Sequence, residues 1–397
     1  MNKHGWTYKK LGEVCDIERG GSPRPIEKYI TTDVNGLNWI KIGDAVEGSK
    51  YINSTKEKII PEGLKKTRLV HKGDFILSNS MSFGKPYILG IDGCIHDGWL
   101  VIRDSDNIFN KSYLYYLLSS PNMYQEFKRL AVGGVVNNLN RDLVRNVVVP
   151  IPSLSEQGRI VEELDLLSGI IDKKKEQLKA YDQLAQSIFY NMFGDPINNE
   201  KGWEVKRFEE VCSSMTKGPF GSDIKKSLYV PKSKDTYKVY IQINAIEKDA
   251  TLGSYYISKE YFDNKMFRFE VKPNDYIITC DGTLGKFLRL PQSIEKGIIS
   301  ASLLRLTLNK KINYKYFEHI WDCCILHQQT KDIRNTALKH LPSASKMGKT
   351  LIPLPPLSLQ QEFAERVEAI ERQKALVRQS IDETQTLFDS RMDFWFD

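Results

Sequence analysis

The residues in this chain that could do chemistry fall short of any catalytic arrangement. Gly348-Lys349-Thr350 has the ending of a phosphate-binding loop, in which backbone amides and a lysine cradle phosphates, but Ser343 stands where that loop needs glycine. Asp281-Gly282-Thr283 has the composition of a catalytic aspartate loop; placed after the apolar run 276–280, it reads more simply as a tight turn. The histidines (His4, His71, His96, His319, His327, His340) lack metal-ligand spacing, and the cysteines (Cys15, Cys94, Cys212, Cys280, Cys323, Cys324) include no Cys-x-x-Cys pair. Neither zinc nor disulfides are expected. No Gly-x-Gly-x-x-Gly follows a strand pattern, and no Asn-Pro-Pro-aromatic tetrapeptide is present, so base methylation by this chain alone is not expected. The sequence predicts no catalytic residue, no cofactor and no metal: a binder rather than an enzyme.

Composition narrows the binder. A net charge of +7 and a pI near 8.8 are compatible with a polyanionic partner without demanding one. A length of 397 residues suits two or three domains, and 41% hydrophobic with 27% charged residues is ordinary for a globular protein. No apolar run reaches the roughly 18 residues of a membrane span. The first residues also lack an apolar signal stretch, so a cytoplasmic protein with no membrane partner is expected.

The elements that must position any binding residues come in two copies. Pro150, Pro152, Leu154 and Gln157 return as Pro353, Pro355, Leu357 and Gln360, each 203 positions later. Each copy follows a block of about 150 residues, and the blocks match more faintly. Trp6 answers Trp203 at an offset of 197; Trp39-Ile40-Lys41-Ile42 answers Tyr240-Ile241-Gln242-Ile243 at 201; Gly84-Lys85 answers Gly285-Lys286. One frame is used twice with different tips. Runs such as 75–78, 276–279, 99–103 and 302–306 read as strands, and 111–119 and 314–327 as late helices, which makes each block α+β. Trp6 and Trp203 read as core anchors, and Cys15 and Cys212 as matched buried thiols.

After each Pro-x-Pro a long helix is expected, N-capped by Ser155 or Ser358. Ile160, Leu164, Leu167, Ile171, Leu178, Tyr181, Ala185, Ile188 and Met192 step by threes and fours, broken at Lys174. The second stripe runs Phe363, Val367, Ile370, Val377, Ile381, Phe388 and Trp395, with polar breaks at Lys374, Thr384 and Arg391. Such seams are coiled-coil stripes, and the nearest partner for each is its own repeat, packed antiparallel. Phe394-Trp395-Phe396 is too apolar to stay exposed and should dock.

At these entries the sequence resembles the specificity subunit of type I restriction–modification systems. Pro353–Gln361 carries that family's Pro-Leu-Pro-Pro-Leu-Ser-x-Gln-Gln with Leu359 for the usual glutamate. Trp6–Val14 and Trp203–Val211 carry its Trp-x-x-x-x-Leu-x-x-Val, with Phe208 for leucine. Gly73–Lys85 and Asn274–Lys286 carry its Gly-Asp…Gly-Lys element, with Asn274 for glycine; Pro342 interrupts the region before the second helix. The resemblance covers nearly the whole chain. It implies two tandem target-recognition domains, 1–148 and 198–350, and helical spacers at 149–197 and 351–397 forming an antiparallel coiled coil. It also implies a non-catalytic subunit that reads an asymmetric, bipartite double-stranded DNA target and docks two methyltransferase (modification) and two restriction (motor-nuclease) subunits.

Base reading needs polar side chains on loops held by a rigid frame, and phosphate contacts need Lys, Arg or backbone amides. In the first block the candidates are Arg19, Ser22, Arg24, Lys41, Ser78, Asn79, Ser80, Lys85, Asn137, Asn138, Asn140 and Arg141. In the second they are Lys217, Ser222, Gln242, Asn244, Thr283, Lys286, Lys339 and His340. For each the plainer alternative is a solvated loop residue. Two other functions compete: a two-headed protein-interaction scaffold, which predicts no salt-dependent DNA affinity, and an enzyme with an unrecognised site, which predicts turnover on DNA without partners.

Overall fold

The computed structural model describes residues 5–46, 48–79, 84–131, 139–330 and 340–397. The chain divides into two compact units, 1–176 with 378–397, and 177–377, so the division falls inside both long helices. Each unit is a mixed α+β head packed on a pair of half-helices, which bears out the expected fold class.

In the first unit, two five-stranded sheets form the head. One runs Ile30–Thr31, Glu57–Ile59, Leu37–Ile40, Gly93–Ile95, Arg68–Val70; the other Asp16–Arg19, Trp99–Arg103, Phe75–Ser78, Pro86–Leu89, Tyr51–Ile52. Strand Phe75–Ser78 is buried at every position, as a central strand covered on both faces must be. The second unit repeats this with fewer strands: Tyr256–Ser258, Thr236–Tyr240, Gly297–Ile299 in one sheet, and Cys212–Lys217, Leu303–Leu308, Tyr276–Thr279, Phe287–Arg289 in the other. The parallel pair Cys94 opposite Trp39 returns as Val239 opposite Ile298. Helix Lys111–Ser119 matches its expected range. Its counterpart is α-helical only over Tyr314–Ile320, and then widens into π-type turns at Trp321–Leu326.

The first proline of each Pro-x-Pro lies in a strand. Val148–Ile151 pairs antiparallel with Thr7–Lys10, and Leu351–Pro353 with Val205–Arg207. Both strands of a two-stranded ribbon are edges, where a proline costs no ladder bond on its outward side. Beyond each ribbon a buried glutamine ties the long helix to the head. Gln157, with no exposed surface, accepts from Asn110 N at 2.7 Å and donates to the carbonyls of Ile108 and Pro152, both at 3.0 Å. Gln360, equally buried, accepts from Asn313 N at 2.8 Å and donates to Pro355 O at 2.8 Å. The phenols of Tyr113 and Tyr316 close the same brackets by donating to Pro150 O (3.2 Å) and Pro353 O (2.8 Å).

The long helices span Leu154–Phe193 and Leu357–Phe396, 40 residues each. Their caps lie two residues before the expected serines. Ser153 Oγ accepts from Glu156 N at 3.3 Å, and Pro356 O accepts from Gln360 N at 3.1 Å, so Ser155 and Ser358 are already inside the helix. In the first unit Ile160, Leu164, Leu167 and Ile171 are buried; in the second, Phe363, Val367 and Ile370. The half-helices are antiparallel: Glu163 pairs with Arg391 and Lys174 donates to Ser380 (2.7 Å) in the first unit. In the second, Lys374 donates to Asp182 (2.6 Å) and Glu371 (2.9 Å), and Phe189 packs on Phe363. The polar breaks are thus paired across or along the seam, the arrangement by which a single lysine on a coiled-coil stripe selects one register.

Away from their first turns the helices leave the strict stripe. Ile188 and Met192 are only half-buried, whereas Phe189 and Phe193 are buried in the second head's core. Met392, Trp395 and Phe396 do the same in the first, Trp395 stacking on Trp6 with ring centroids 6.3 Å apart. The terminal aromatics therefore dock, as expected, although Phe394 stays 47% exposed. Trp6 is a core anchor; Trp203 is not. It is half-buried, and its indole caps the end of the first long helix by donating to Phe193 O at 2.8 Å.

Candidate nucleic-acid interface

The head tips are set by backbone bonds that occur in both units. Gly20 N donates to Trp99 O (2.9 Å), as Gly218 N does to Leu303 O (2.8 Å). Asn79 N donates to Gly98 O and Cys280 N to Ser302 O, both at 2.9 Å. His96 N donates to Ile40 O (3.2 Å) and Ser300 N to Tyr240 O (2.8 Å). A Cβ on Gly20 would lie 2.2 Å from His96 O, and one on Gly218 1.9 Å from Ser300 O, so only glycine admits this approach. These bonds superpose His96-Asp97-Gly98 on Ser300-Ala301-Ser302. The frame is shared and the tips differ in chemistry.

The repeated Gly-Lys turn is equally regular. Gly84 N donates to Ser78 O (2.7 Å) and Lys85 N to Ser78 Oγ (2.9 Å); Gly285 N donates to Thr279 O (2.9 Å) and Lys286 N to Thr279 Oγ1 (3.0 Å). Ser78 is thereby corrected as a candidate: at 1% exposure its hydroxyl braces the turn. Asn79, 3% exposed, donates inward to Asp97 O at 3.0 Å. Asn244, with no exposed surface, accepts from Ile241 N and donates to Asp249 O and Leu252 O, each within 2.9 Å. These three bonds hold the loop 241–252 in place. Polar type alone did not separate braces from tips.

In the first unit Arg19, Ser22 and Arg24 converge on one residue the sequence reading missed, Asp97, whereas Lys41 does not. Its carbonyl accepts from Arg19 Nε at 3.1 Å, its carboxylate from Ser22 Oγ at 2.6 Å, and the Arg24 guanidinium stands 3.9 Å away. Ser22, Arg24, Trp39, Lys41, His96 and Asp97 are among the walls of an open cleft of about 710 Å³, with Lys41 paired to Glu57 at its edge. Burial pushes the Asp97 carboxyl up, but the Ser22 hydroxyl, His96 and Arg19 outweigh it, and the net shift is down from the ordinary carboxylate value. Burial pushes the His96 imidazole down, Asp97 opposes this, and Lys41 and Arg19 add to it. The His96 Nδ1 accepts from Gly98 N at 2.9 Å and its Nε2 faces Asp97 at 3.4 Å. An acidic residue beside a histidine between two strand patterns was the available signal.

Lys85 is not brought to that cleft. It lines another of about 370 Å³ with Tyr87, Tyr115 and Tyr124. Asn140 is exposed and caps helix Arg141–Arg145 through Leu143 N at 2.9 Å; Arg141 is exposed and paired with Asp142. In the second unit Asp281 is the meeting point: its carbonyl accepts from Gln242 Nε2 (3.0 Å) and its carboxylate lies 2.6 Å from His340 Nδ1. Lys217, Ser222, Thr283 and Lys286 are exposed on the surrounding turns. Ser80, Asn137, Asn138 and Lys339 lie outside the described residues.

Catalytic readings find no support in the same geometry. Lys349-Thr350 follows a short helix, Ala344–Gly348, instead of opening one. Burial pushes the thiols of Cys15 and Cys212 up to about 12, although Cys212 is half-buried where full burial was expected. Among the described residues no group of three or more His, Cys, Asp or Glu could hold a metal ion, and no helix is long and apolar enough to cross a membrane.

Comparison with known proteins points one way. The chain is 27% identical over 225 residues to the type I restriction enzyme MjaIX specificity subunit of Methanocaldococcus jannaschii, a match spanning 52% of this chain and 51% of that subunit. It is 22% identical over 395 residues to the EcoBI specificity subunit of Escherichia coli, spanning 92% of this chain and 79% of that one. A solved chain from work on complex assembly and conformational transition of the type I R-M system shares the fold, with a TM-score of 0.63 at 18% identity over 99% of this chain and 98% of that chain. The family model described as type I restriction modification DNA specificity domain matches twice, over residues 3–180 and 200–385, and the chain belongs to that family.

Proposed function

We propose that this chain is the sequence-specificity subunit of a cytoplasmic type I restriction–modification complex. Its recognition domains lie at 1–148 and 198–350, its helical spacers at 149–197 and 351–397. It reads an asymmetric, bipartite double-stranded DNA target and supplies the docking surface for two methyltransferase and two restriction subunits, without catalysing a reaction itself. The observation that supports this best is the shared backbone frame with chemically unlike tips: Asp97 where the other unit has Ala301, Asn79 where it has Cys280. Two frames of the same plan suit two half-sites, and unlike tips suit half-sites of different sequence. The exposed or partly exposed candidates, Arg19, Ser22, Arg24, Lys41, Lys85, Asn140 and Arg141 in one head and Lys217, Ser222, Gln242, Thr283, Lys286 and His340 in the other, are the proposed contacts.

The pure chain is expected to bind duplex DNA with an affinity that falls steeply with salt, by a log–log slope of about −0.9 per phosphate contacted. Incubated with labelled methyl donor and plasmid, it should transfer no methyl group and cut no strand. Salt-independent or absent DNA binding would favour the interaction scaffold, and transfer or scission by the pure chain would make it an enzyme.

A further inference from the structure

Asp97 is held more firmly than a solvated loop residue needs to be. Its carbonyl takes hydrogen bonds from Arg19 Nε and Asn79 Nδ2 at 3.1 and 3.0 Å, which fix the backbone from two separate segments. Ser22 Oγ fixes one carboxylate oxygen, Oδ1, at 2.6 Å. The other, Oδ2, takes no hydrogen bond among the described residues; the nearest cation is Arg24 at 3.9 Å, on a side chain 83% exposed. The Asp97 side chain is itself 36% exposed on the wall of the 710 Å³ cleft. A fixed acceptor facing a duplex is repelled by phosphate and by base carbonyls. Of the groups in the major groove, the exocyclic amines of cytosine and adenine are the donors it can meet. Arg24, 83% exposed on the cleft wall, and Arg19 behind Asp97 supply the attraction to phosphate that brings a carboxylate this close, while Lys41 is taken up by Glu57. The equivalent position in the second unit is Ala301, so the feature belongs to one head only.

We infer that Asp97 is a specificity-determining residue of the first head, its carboxylate Oδ2 accepting a hydrogen bond from an exocyclic amino group, cytosine N4 or adenine N6, in the major groove. This rests on the reading of the chain as a DNA specificity subunit. Ser22 is its positioning residue.

The test is selection of duplexes from a randomised pool by the full-length chain. Wild type should yield a two-part consensus. Asp97→Asn should relax one base pair in one half by roughly 10-fold, leaving every other position and the salt dependence as they were. Ser22→Ala, which keeps the carboxylate and loosens it, should weaken the same position by a smaller factor. At that position, replacing cytosine by 2-pyrimidinone or adenine by purine removes the amine. This should weaken wild-type binding roughly 10-fold and leave Asp97→Asn no weaker than before; which replacement acts tells N4 from N6. An unchanged consensus in Asp97→Asn, loss of the whole half-site at once, or amine-free duplexes bound normally by wild type would each overturn the assignment. A wild-type chain that selects no consensus would instead overturn the function on which it rests.

Discussion

A chain in which residues 16–145 are exchanged for the equivalent block of a relative is expected to recognise a target changed in one half and unchanged in the other. The block carries Arg19, Ser22, Arg24, Lys41 and Asp97 but neither strand of the ribbon that joins the head to its helices, Thr7–Lys10 with Val148–Ile151. It also leaves Gln157 in place, although the chimera must retain an Asn110 equivalent for the bracket to close. Each lost base contact should weaken the old half-site by about 1–3 kcal/mol, so two or three together abolish modification there. Mapping methylated positions across the genome of cells that express the chimera with its methyltransferase partner gives the answer directly. Changes in both halves, or in neither, would break the assignment of one head to one half-site.

The largest loss of stability is expected at the glutamine brackets. Gln157→Ala removes three hydrogen bonds in a site with no exposed surface and leaves Asn110 N without its acceptor. An orphaned buried donor costs about 1–3 kcal/mol, and the cavity left by the side chain adds to it, so a total of about 3 kcal/mol is expected. For a unit of roughly 200 residues that lowers the thermal midpoint by about 6–12 °C. Gln360→Ala should do the same to the second unit. Because Gln157 lies in the unit 1–176 with 378–397 and Gln360 in 177–377, hydrogen exchange should show each substitution loosening its own unit first. Tyr113→Phe, which removes only the 3.2 Å bond to Pro150 O, is the milder control. A loss below about 1 kcal/mol in Gln157→Ala would show that the bracket is replaceable, the usual size of a single exposed hydrogen bond.

Most of the architecture could be read from the sequence because it is periodic. The repeat of Pro150, Gln157 and Gly84 gave the two frames, and the stripe at Ile160, Leu164, Leu167 and Ile171 gave the buried face of the first helix; Trp39, matched by sequence to Tyr240, stands in the strand register where Val239 does. Where the helices stop packing on each other and start packing on a head, periodicity no longer predicts burial. Phe189 and Phe193 follow the head's surface rather than the seam, which is why the stripe's period points to Ile188 and Met192 instead. The candidate site was less legible. Ser78, Asn79 and Asn244 have the right side chains for DNA and point inward, because a loop that approaches DNA must first satisfy its own backbone. Asp97 carries no sequence signal for the opposite reason: a carboxylate is repelled by phosphate, and only its bonds to Ser22 and Arg19 mark it.

The docking of Trp395 and Phe396 into the core that begins at Trp6 bears on the order in which the protein can be made. The unit 177–377 is continuous in sequence, whereas the other needs residues 378–397 to complete it. During synthesis, at roughly 5–20 residues per second, the first head and its half-helix wait about 10–40 seconds for the roughly 200 intervening residues to emerge. The head made first is therefore the one finished last. Through that interval the seam residues Leu164, Leu167 and Ile171 have no helix to cover them.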